Sequence, residues 1–490
     1  MTSKKGPPPV VYLIILIVLG FGGYQAFTQL TPQNPPNGGN EAGSEEEKDN
    51  SSSDNSDREQ PDPPPENPRL SRGENILIDV SSDQTAFFRH KEKGTQAMSA
   101  GNYTEAVQQF EAALAEKRNS PETLVYLNNA RIGEQKAYQV AVTLPIDEDT
   151  VSFALEMLRG YAQAQQEINQ AGGINGIPLK LVIADEDDDP EIAKQVVQDL
   201  ANKEDILAVT GHWSSSTTIA VAEVYNRNQL VLVNPVSSST KISGISDYVF
   251  RTIPSNYIVG ATMAEYALNE FGVENLAIFY DSSSAYSLSL RQELKTALLT
   301  RGGSVVAEAD FNSEGFLPRT ELEGAKTRGA SAIALIPSTD IDRALQVVNV
   351  NARELPLLGD LGNLYGVKTL DVGGEDAVGM AIPIPWHIQN PGSEAFVQTS
   401  RQLWGADVNW ATVMAYEAMS AIAQALAPTP NPTREDIQDT LANNGFSAPG
   451  VLQPVKFLPS GDRDGRVIMV EVQPANPSRS GTGYDFVPVN

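Results

Sequence analysis

The sequence contains no cysteine among its 490 residues and only three histidines. The lack of cysteine excludes disulfides, thiolate metal sites, a cysteine nucleophile and the cysteine that carries the lipid of a bacterial lipoprotein. Basic residues are also few, since 35 Lys and Arg stand against 62 Asp and Glu, a formal net charge of −27. Phosphate neutralisation needs clustered basic side chains, so we expect no nucleic-acid partner. His90, His212 and His387 lack the spacing of a two-histidine metal motif, and no metal or other cofactor is expected.

One long apolar segment is present near the N-terminus. Lys4 and Lys5 precede an almost wholly apolar run at 10–20, and no charged residue interrupts it. Extending the run to Phe27 gives about 18 residues, the short end of a membrane span. We predict a membrane anchor at 1–28, with the lysines cytoplasmic and the remainder exported. A cleaved signal peptide is the alternative, which is disfavoured because no small-x-small site follows the run.

Residues 29–75 are dominated by Pro, Asn, Gly, Ser and acidic side chains, including the runs 44–47 (SEEE) and 63–65 (PPP). Such a composition cannot bury enough apolar area to offset the entropy lost on ordering. We therefore predict a disordered, self-repelling linker that separates the anchor from the folded part of the chain.

The apolar spacing becomes helical at 76–136, where Gly101 and Asn102 separate one helix from the next. This segment resembles a tetratricopeptide repeat, and the residues that carry the resemblance are Gly94, Gly101, Tyr103, Ala106, Phe110 and Ala113. About one and a half repeats are present, whereas a stack needs about three to be stable alone. We expect the segment to pack on the next domain or to bind a protein partner. A simple helical spacer is the alternative.

From Tyr138 onward strands and helices alternate, beginning with a strand at 140–144 and a helix at 151–171. This alternation predicts βαβ units and parallel sheets that helices cover on both faces. The pattern continues as far as a strand at 467–472 and is too long for one sheet of ordinary width. We therefore predict two lobes, and we expect residues 476–490 to form a tail.

Three of these strands lead into serine-rich loops that are expected to open amphipathic helices, at 214–216, 237–240 and 282–286. In open parallel sheets, ligands bind beyond the carboxyl ends of the strands, where such loops lie. Hydroxyl groups beside unpaired N–H groups at a helix N-terminus form a neutral site for an anion. Helix capping explains any single loop, because serine and threonine are preferred caps. Three equivalent loops favour a site that binds a carboxylate.

Other motifs point less clearly to chemistry. The acidic run 185–189 lacks the ligand spacing and the glycine of a calcium loop, and its last members are expected to cap a helix that begins at Pro190. The glycines at 172–176 follow a helix and precede a strand, the reverse of a dinucleotide-binding motif. His212 lies beside serines, but no Gly-x-Ser-x-Gly motif accompanies it, so we expect no enzyme. Trp386 and Trp404 are expected to be packing residues.

The motifs at 211–217 (GHWSSST) and 234–238 (NPVSS) resemble those of type I periplasmic solute-binding proteins. The similarity is to the leucine/isoleucine/valine-binding branch of the ABC transporter substrate-binding proteins. Further similar segments are 168–176 (INQAGGING), 189–190 (DP) and 250–252 (FRT).

The resemblance covers about 137–475 and implies an α/β, two-lobed type I periplasmic binding protein fold. Each lobe would be a mainly parallel sheet flanked by helices. Lobe 1 would comprise about 138–255 and 386–444, and lobe 2 about 256–385 and 445–474.

The resemblance also implies roles for individual residues. Ser215 matches the serine that receives the ligand carboxylate, Ser238 the second hydroxyl, and Ser237 a position that offers backbone groups. Tyr286 matches a tyrosine that closes from the second lobe. Phe153 falls where a bulky residue contacts the ligand side chain, and Trp213 lies within the first motif.

Two positions depart from the family pattern. The family places an acid for the ligand's α-amino group after the strand that ends here at Gly359, but this chain has Asp360 one residue early and Leu361 at the expected place. Asp360 would hold an ammonium group or cap a turn. The family's second tyrosine, after the strand ending at Ile336, is replaced by Ser338 or Thr339.

We therefore predict a membrane-anchored, extracytoplasmic binding protein that captures a small carboxylate-bearing solute. The resemblance favours a branched-chain or other aliphatic amino acid that is delivered to ABC permease subunits. A ligand sensor and an envelope interaction factor with the same fold are the alternatives. The displaced acid and the missing tyrosine favour the second of these.

Overall fold

The structure, a computed structural model, describes residues 67–78 and 85–489. The predicted anchor and almost all of the predicted linker lie outside these residues. Within the described part of the chain, no helix combines the length and the apolar character that crossing a bilayer requires.

Two sheets form the body of the protein. The first has six strands in the order β1-β3-β2-β4-β5-β6, parallel except for β1. Its strands are β1 (Leu70–Ser71), β2 (Tyr138–Leu144), β3 (Leu179–Asp185), β4 (Ile206–Gly211), β5 (Val231–Asn234) and β6 (Val249–Arg251). The second has seven strands in the order β13-β12-β11-β10-β9-β7-β8, with β12 and β13 antiparallel to their neighbours. Its strands are β7 (Asn275–Tyr280), β8 (Ser304–Asp310), β9 (Ala332–Ile336), β10 (Leu357–Gly359), β11 (Ala381–Ile384), β12 (Ile468–Pro474) and β13 (Tyr484–Pro488).

Helices surround both sheets. In chain order they are α1 (Ala86–Ser99), α2 (Tyr103–Glu116), α3 (Pro121–Ile132), α4 (Val151–Gln170), α5 (Pro190–Ala201), α6 (Ser215–Arg227), α7 (Asn256–Asn269), α8 (Ala285–Thr300), α9 (Pro318–Thr327), α10 (Asp342–Asn351), α11 (Val367–Val372), α12 (Glu394–Trp404), α13 (Trp410–Leu426) and α14 (Arg434–Ala442). Helices α4, α13 and α14 pack on the first sheet, and α7 and α8 pack on the second. The central strands are buried on both faces, as the unbroken apolar run of β9 illustrates.

The chain passes between the sheets more than once. It leaves the first sheet after β6, completes β7 to β11 in the second, returns in α12 to α14, and ends in β12 and β13. The two-lobed α/β architecture predicted from the sequence is therefore confirmed.

Three local expectations were wrong. The loop at 237–240 opens only a 3₁₀ turn, Thr240–Ile242, and then β6, so the strand–serine–helix pattern occurs twice rather than three times. The end of the predicted linker forms β1, because Leu70 and Ser71 pair with the outer edge of β3. The segment expected to be a tail contains β13, which pairs with β12 through five residues.

The three N-terminal helices form a unit that docks on the first sheet. Helix α1 packs on α2 and α2 on α3, while α3 packs on α4 and β3. Gly94 permits the close approach of the first two helices, because a Cβ atom there would lie 2.4 Å from the Phe110 ring. The expectation that this segment packs on the next domain is confirmed. Its assignment as a repeat remains a prediction.

One amide side chain joins this unit to the sheet. Asn129, fully buried on α3, donates from Nδ2 to the carbonyl of Leu181 at 2.7 Å and accepts the Leu181 N–H at Oδ1 at 3.2 Å. These are the two bonds that a neighbouring strand would make with β3. Nδ2 also donates to the Arg72 carbonyl at 2.7 Å, just beyond β1. The edge strand is therefore covered partly by β1 and partly by a side chain.

A buried ion pair holds the segment that precedes α1. Lys91 and Glu122 form a salt bridge with about 3% and 2% of their side chains exposed. Glu122 also accepts the N–H groups of Leu77 at 2.7 Å and Ile78 at 3.1 Å, and Lys91 donates to the Ile78 carbonyl at 3.0 Å. The pair therefore fixes the chain where it enters the helical unit.

We predict that Lys91→Met lowers the free energy of unfolding by about 3–5 kcal/mol, because it leaves the Glu122 carboxylate buried without a countercharge. Arg131→Met is the matched control, since it removes the exposed Arg131–Glu111 pair on the same unit and should cost about 1 kcal/mol or less. Urea unfolding followed by circular dichroism measures both. Equal losses in the two variants would contradict the role given to the buried pair.

Candidate functional site

A small cavity lies between the two sheets, at the ends of β4, β5, β9 and β10. Its volume is about 60 Å³. Twelve residues line it: Trp213, Ser214, Ser215, Val236, Ser284, Tyr286, Ser338, Thr339, Leu361, Gly362, Asn363 and Trp410. None of these side chains carries a formal charge, and half of the residues carry a hydroxyl group. The cavity is therefore neutral, partly polar and placed where open sheets bind ligands.

The first lobe contributes the beginning of α6. Ser214 is the N-cap, and its Oγ accepts the Thr217 N–H at 3.1 Å. Ser215, the first residue of the helix, is 2% exposed and accepts the Ser239 N–H at 3.3 Å through its Oγ. A hydroxyl that accepts in this way keeps its own hydrogen for donation. The first turn of α6 thus offers an O–H donor together with N–H groups that no earlier helical turn can pair.

The end of β4 approaches β2 closely, and this contact positions the first turn of α6. Gly211 has a φ of +140°, and a Cβ atom there would lie 2.2 Å from the Thr143 carbonyl oxygen. His212 follows with a φ of +58°, a conformation that few residues other than glycine adopt. Its buried ring pairs with Glu186 at Nδ1 and with the Tyr225 hydroxyl at Nε2, the latter at 2.7 Å. The ring is a structural support within the first lobe.

The loop after β5 is held by Asn234, the last residue of that strand. The Asn234 amide donates to the carbonyls of Gly211 at 2.6 Å and His212 at 3.0 Å. Its Oδ1 accepts the N–H groups of Val236 at 2.9 Å and Ser237 at 2.6 Å. Sequence reasoning included Asn234 in a family motif without giving it this role, which depends on contacts between two loops.

The two serines predicted in this loop differ in their environment. The Ser237 hydroxyl is used inside the lobe, because it pairs with the Thr218 hydroxyl at 2.8 Å and lies 3.1 Å from the Trp213 carbonyl. Ser238 is fully buried, and its Oγ has no hydrogen-bond partner among the described residues. Neither serine lines the cavity. A buried unpaired hydroxyl is unusual in a native protein and commonly marks a site with a missing partner.

The second lobe contributes the beginning of α8 and the loop after β10. Ser284 caps α8 by accepting the Ser287 N–H at 3.3 Å. Tyr286 lines the cavity and donates its hydroxyl hydrogen to Asp360 Oδ2 at 2.8 Å. Burial, and next the Asp360 charge, raise the pKa of Tyr286 well above its ordinary value. The hydroxyl is therefore a neutral donor whose hydrogen is already committed.

Asp360 lies behind the cavity wall and does not line it. Its Oδ2 accepts from the Tyr286 hydroxyl, the N–H groups of Gly362 at 3.1 Å and Asn363 at 3.0 Å, and the Asn363 amide at 3.1 Å. Its Oδ1 accepts the Leu364 N–H at 3.0 Å. Burial raises the pKa of Asp360, and these hydrogen bonds oppose that rise. The geometry is that of a turn cap, one of the two roles predicted for this residue.

The lobes touch directly beside the cavity. The Ala285 N–H of the second lobe donates to Ser216 Oγ of the first at 3.3 Å. The Thr240 N–H of the first lobe donates to Ser289 Oγ of the second at 2.9 Å. The beginnings of α6 and α8 therefore face each other across the cavity.

Phe153 lies outside the cavity. Its ring stacks on Trp213 with centroids 4.1 Å apart and planes at 16°, and it lines a second, wider cleft of about 510 Å³. This cleft also holds Glu156, His387, Asp407 and Arg479. The structure thus brings Ser215, Trp213, Tyr286 and Ser338 into one cavity wall, and it places Phe153 behind Trp213.

Several wall residues were missed from the sequence. Val236 lies within the 234–238 motif but was given no role, and Asn363 and Trp410 belong to a loop and a helix start that carry no recognisable motif. Trp386 and Trp404 are buried at 1% and 2% exposure, as expected for packing residues. In the acidic run, Asp189 caps α5, which confirms that expectation.

Comparison with known proteins identifies the family. A model of the family described as "Periplasmic binding protein" matches residues 137–475, more than half of the chain. The chain belongs to the periplasmic binding protein family. The resemblance stated from the sequence is thereby confirmed, and the family is one of binding proteins rather than enzymes.

Individual relatives of this periplasmic binding protein are distant. An amino acid binding protein of Pseudomonas aeruginosa is 31% identical over 183 residues, 36% of this chain and 48% of that protein. The chain thus spans about half the length of the curated relatives that it matches first. An ABC transporter substrate-binding protein of Desulfitobacterium hafniense, solved with leucine, superposes with a TM-score of 0.61 at 22% identity, over 72% of this chain and all of that one. A solute-binding protein of an ABC transporter from Rhodopseudomonas palustris, solved with 3,4-dihydroxybenzoic acid, gives 0.61 at 15% identity, over 72% and 96%. The two structures share the fold of the periplasmic binding protein described here.

His387, in the second cleft of this periplasmic binding protein, is expected to make the stability of the protein depend on pH. Burial, and next the Arg479 charge, lower the pKa of His387 to about 4, compared with about 6.5 in an unfolded chain. Below pH 6.5 the unfolded chain therefore binds a proton at this histidine that the folded protein does not bind. The free energy of unfolding accordingly falls as the pH falls from about 6.5 to about 4. The loss should have a slope of about 1.4 kcal/mol per pH unit.

His387→Gln should remove this contribution, so its free energy of unfolding should fall less steeply than that of the wild type over the same pH range. Urea unfolding at half-unit pH steps measures the difference. Parallel curves for the two proteins would contradict the assignment.

Proposed function

We propose that this chain is an extracytoplasmic solute-binding protein that captures a small carboxylate-bearing ligand between its lobes for an ABC transporter. The observation that carries the proposal is the donor-rich first turn of α6 in the wall of an uncharged cavity between the lobes. Ser215 lines the cavity, accepts an N–H and keeps its own hydrogen, so its hydroxyl is free to donate to a ligand there. Hydroxyl and N–H donors at a helix N-terminus suit a carboxylate without any covalent step.

The ligand carboxylate would dock first on the first lobe. Ser215 would donate to one carboxylate oxygen, and the unpaired hydroxyl of Ser238 would donate to the ligand if the 237–240 loop adjusts on binding. Tyr286 and the beginning of α8 would then close the cavity from the second lobe. A ligand that contacts both lobes binds the closed form more tightly and so shifts the population toward it.

The relatives support a carboxylate as the common feature of the ligands. The Pseudomonas protein is an amino acid binding protein, the Desulfitobacterium structure holds leucine, and the Rhodopseudomonas structure holds 3,4-dihydroxybenzoic acid. The last two ligands differ in side chain and in the presence of an ammonium group, but both carry a carboxylate. A branched-chain or aliphatic amino acid is thus one candidate ligand of this chain.

We also propose that the N-terminal segment 1–28 anchors the protein at the cytoplasmic membrane and that 29–66 tether it to the folded part. The proposal rests on the apolar run and the acidic, proline-rich composition of the sequence. The exposed side of the helical unit would contact a protein partner. Recovery of permease subunits with the full chain from gently solubilised membranes would support transport, and recovery of other envelope proteins alone would favour the interaction-factor alternative.

We predict that Ser215→Ala weakens ligand binding roughly tenfold or more at an unchanged melting temperature, because a hydrogen bond to a charged group contributes about 1.5–3 kcal/mol. Native mass spectrometry of the gently purified protein identifies a retained ligand, and calorimetric titration with a panel of small carboxylates measures affinity.

Ser420→Ala is the matched control. Ser420 lies on α13, outside the residues that line the cavity, and its hydroxyl donates to the Pro449 carbonyl at 2.7 Å. Equal affinity in Ser215→Ala and the wild type would mean that Ser215 has only a structural role at the start of α6. That result would remove the main support for the proposal.

A further inference from the structure

The cavity wall lacks the group that an amino acid needs. An amino acid at neutral pH carries an ammonium group beside its carboxylate, and an ammonium group taken out of water requires a countercharge or several acceptors. All twelve residues that line the cavity belong to the described part of the chain, and none is Asp or Glu. Directly after Asp360, the wall residue is Leu361, whose apolar side chain is 1% exposed.

The nearest carboxylate is already fully used. Asp360 accepts four N–H bonds, three from the backbone of its own turn and one from the Asn363 amide, in addition to the Tyr286 hydroxyl. Both carboxylate oxygens therefore have partners, and the side chain lies behind the wall. An ammonium group could reach Asp360 only by displacing Tyr286 or by opening the 360–364 turn.

Tyr286 does not supply the missing acceptor either. Its hydrogen is donated to Asp360, and its oxygen accepts the Gly362 N–H at 3.3 Å. The serines on both sides of the cavity point to the same conclusion. Ser215 and Ser284 each accept a backbone N–H, from Ser239 and Ser287 respectively, so each keeps its hydrogen for donation and has one of its two lone pairs already used. The polar groups of the wall are thus neutral hydroxyls and an amide, and no side chain in it supplies a countercharge for an ammonium group.

The acids of the wider cleft are also engaged. Glu156 pairs with Arg159 and accepts the Thr412 hydroxyl at 2.7 Å. Asp407 pairs with Arg401 at 2.6 Å. These carboxylates lie on the far side of the Phe153–Trp213 stack from the cavity, so they would not neutralise an ammonium group next to a carboxylate held by Ser215.

We infer that the cavity selects a carboxylate that carries no ammonium group beside it, in preference to an amino acid of the same carbon skeleton. This inference rests on the function proposed above and names its ligand class: small aliphatic or aromatic monocarboxylates. The wall offers donors to the anion and apolar contact from Val236, Leu361 and Trp410 to the rest of the ligand.

The test uses matched pairs that differ only in the amino group. The full chain is titrated calorimetrically with propanoate and alanine, 3-methylbutanoate and valine, and 4-methylpentanoate and leucine. In each pair that binds, the acid without the amino group should bind at least tenfold more tightly. Equal or tighter binding of the amino acid would overturn the inference and leave the proposed carboxylate-binding function standing. If neither member of any pair binds, and a broader panel that includes benzoate also fails, the proposed function itself falls and the inference with it.

A gain-of-function variant tests the same point independently. Leu361→Glu places a carboxylate in the wall and should improve the affinity for the amino acid of a pair by tenfold or more relative to its amino-free partner. Leu361→Gln, with the same shape and no charge, is the control and should keep the wild-type order. An unchanged order in a folded Leu361→Glu protein would contradict the role given to the wall. If that variant does not fold, as its thermal melt would reveal, the matched pairs on the wild-type protein decide.

Discussion

The opposition of two helix beginnings across one small cavity is the constraint on which the binding geometry depends. Helix α6 starts at Ser215 on the first lobe and α8 at Ala285 on the second, and the Ala285 N–H donates to the hydroxyl of Ser216. Each helix begins after a serine cap. The unpaired N–H donors and the positive dipole ends of the two helices face the same space. Donors concentrated in this way favour a negative group, and the residues that line the cavity carry no formal charge on either side.

The inferred preference for an amino-free carboxylate depends on two adjacent residues, Asp360 and Leu361. Asp360 turns back into its own loop, where four N–H groups satisfy it, and Leu361 takes the place on the wall. A shift of one residue after a strand exchanges a charged wall for an apolar one without altering the strand itself. The same fold can therefore receive ligands of different charge, which agrees with the range of ligands found in proteins of this architecture.

Much of this arrangement could be predicted from the sequence, because the apolar strands and the alternating helices are local patterns. The strand predicted at 140–144 lies within β2, the helix predicted at 151–171 is α4 to within one residue, and the serine loops lie where βα connections place them. Contacts between distant segments could not be predicted. The pattern at 237–240 resembles the other two serine loops, yet β6 follows so soon that only a 3₁₀ turn fits. Phe153 stacks behind Trp213 because of tertiary packing, and the short strands β1 and β13 exist only through their partners.

The way in which Asn129 and β1 complete the first sheet has a consequence for the solubility of the chain. Without the residues before β2, the outer side of β3 would be an open row of peptide groups, able to recruit a strand from another copy. The N-terminal helices and β1 supply a substitute for that strand, so their loss would carry a penalty in solubility even if they bind nothing.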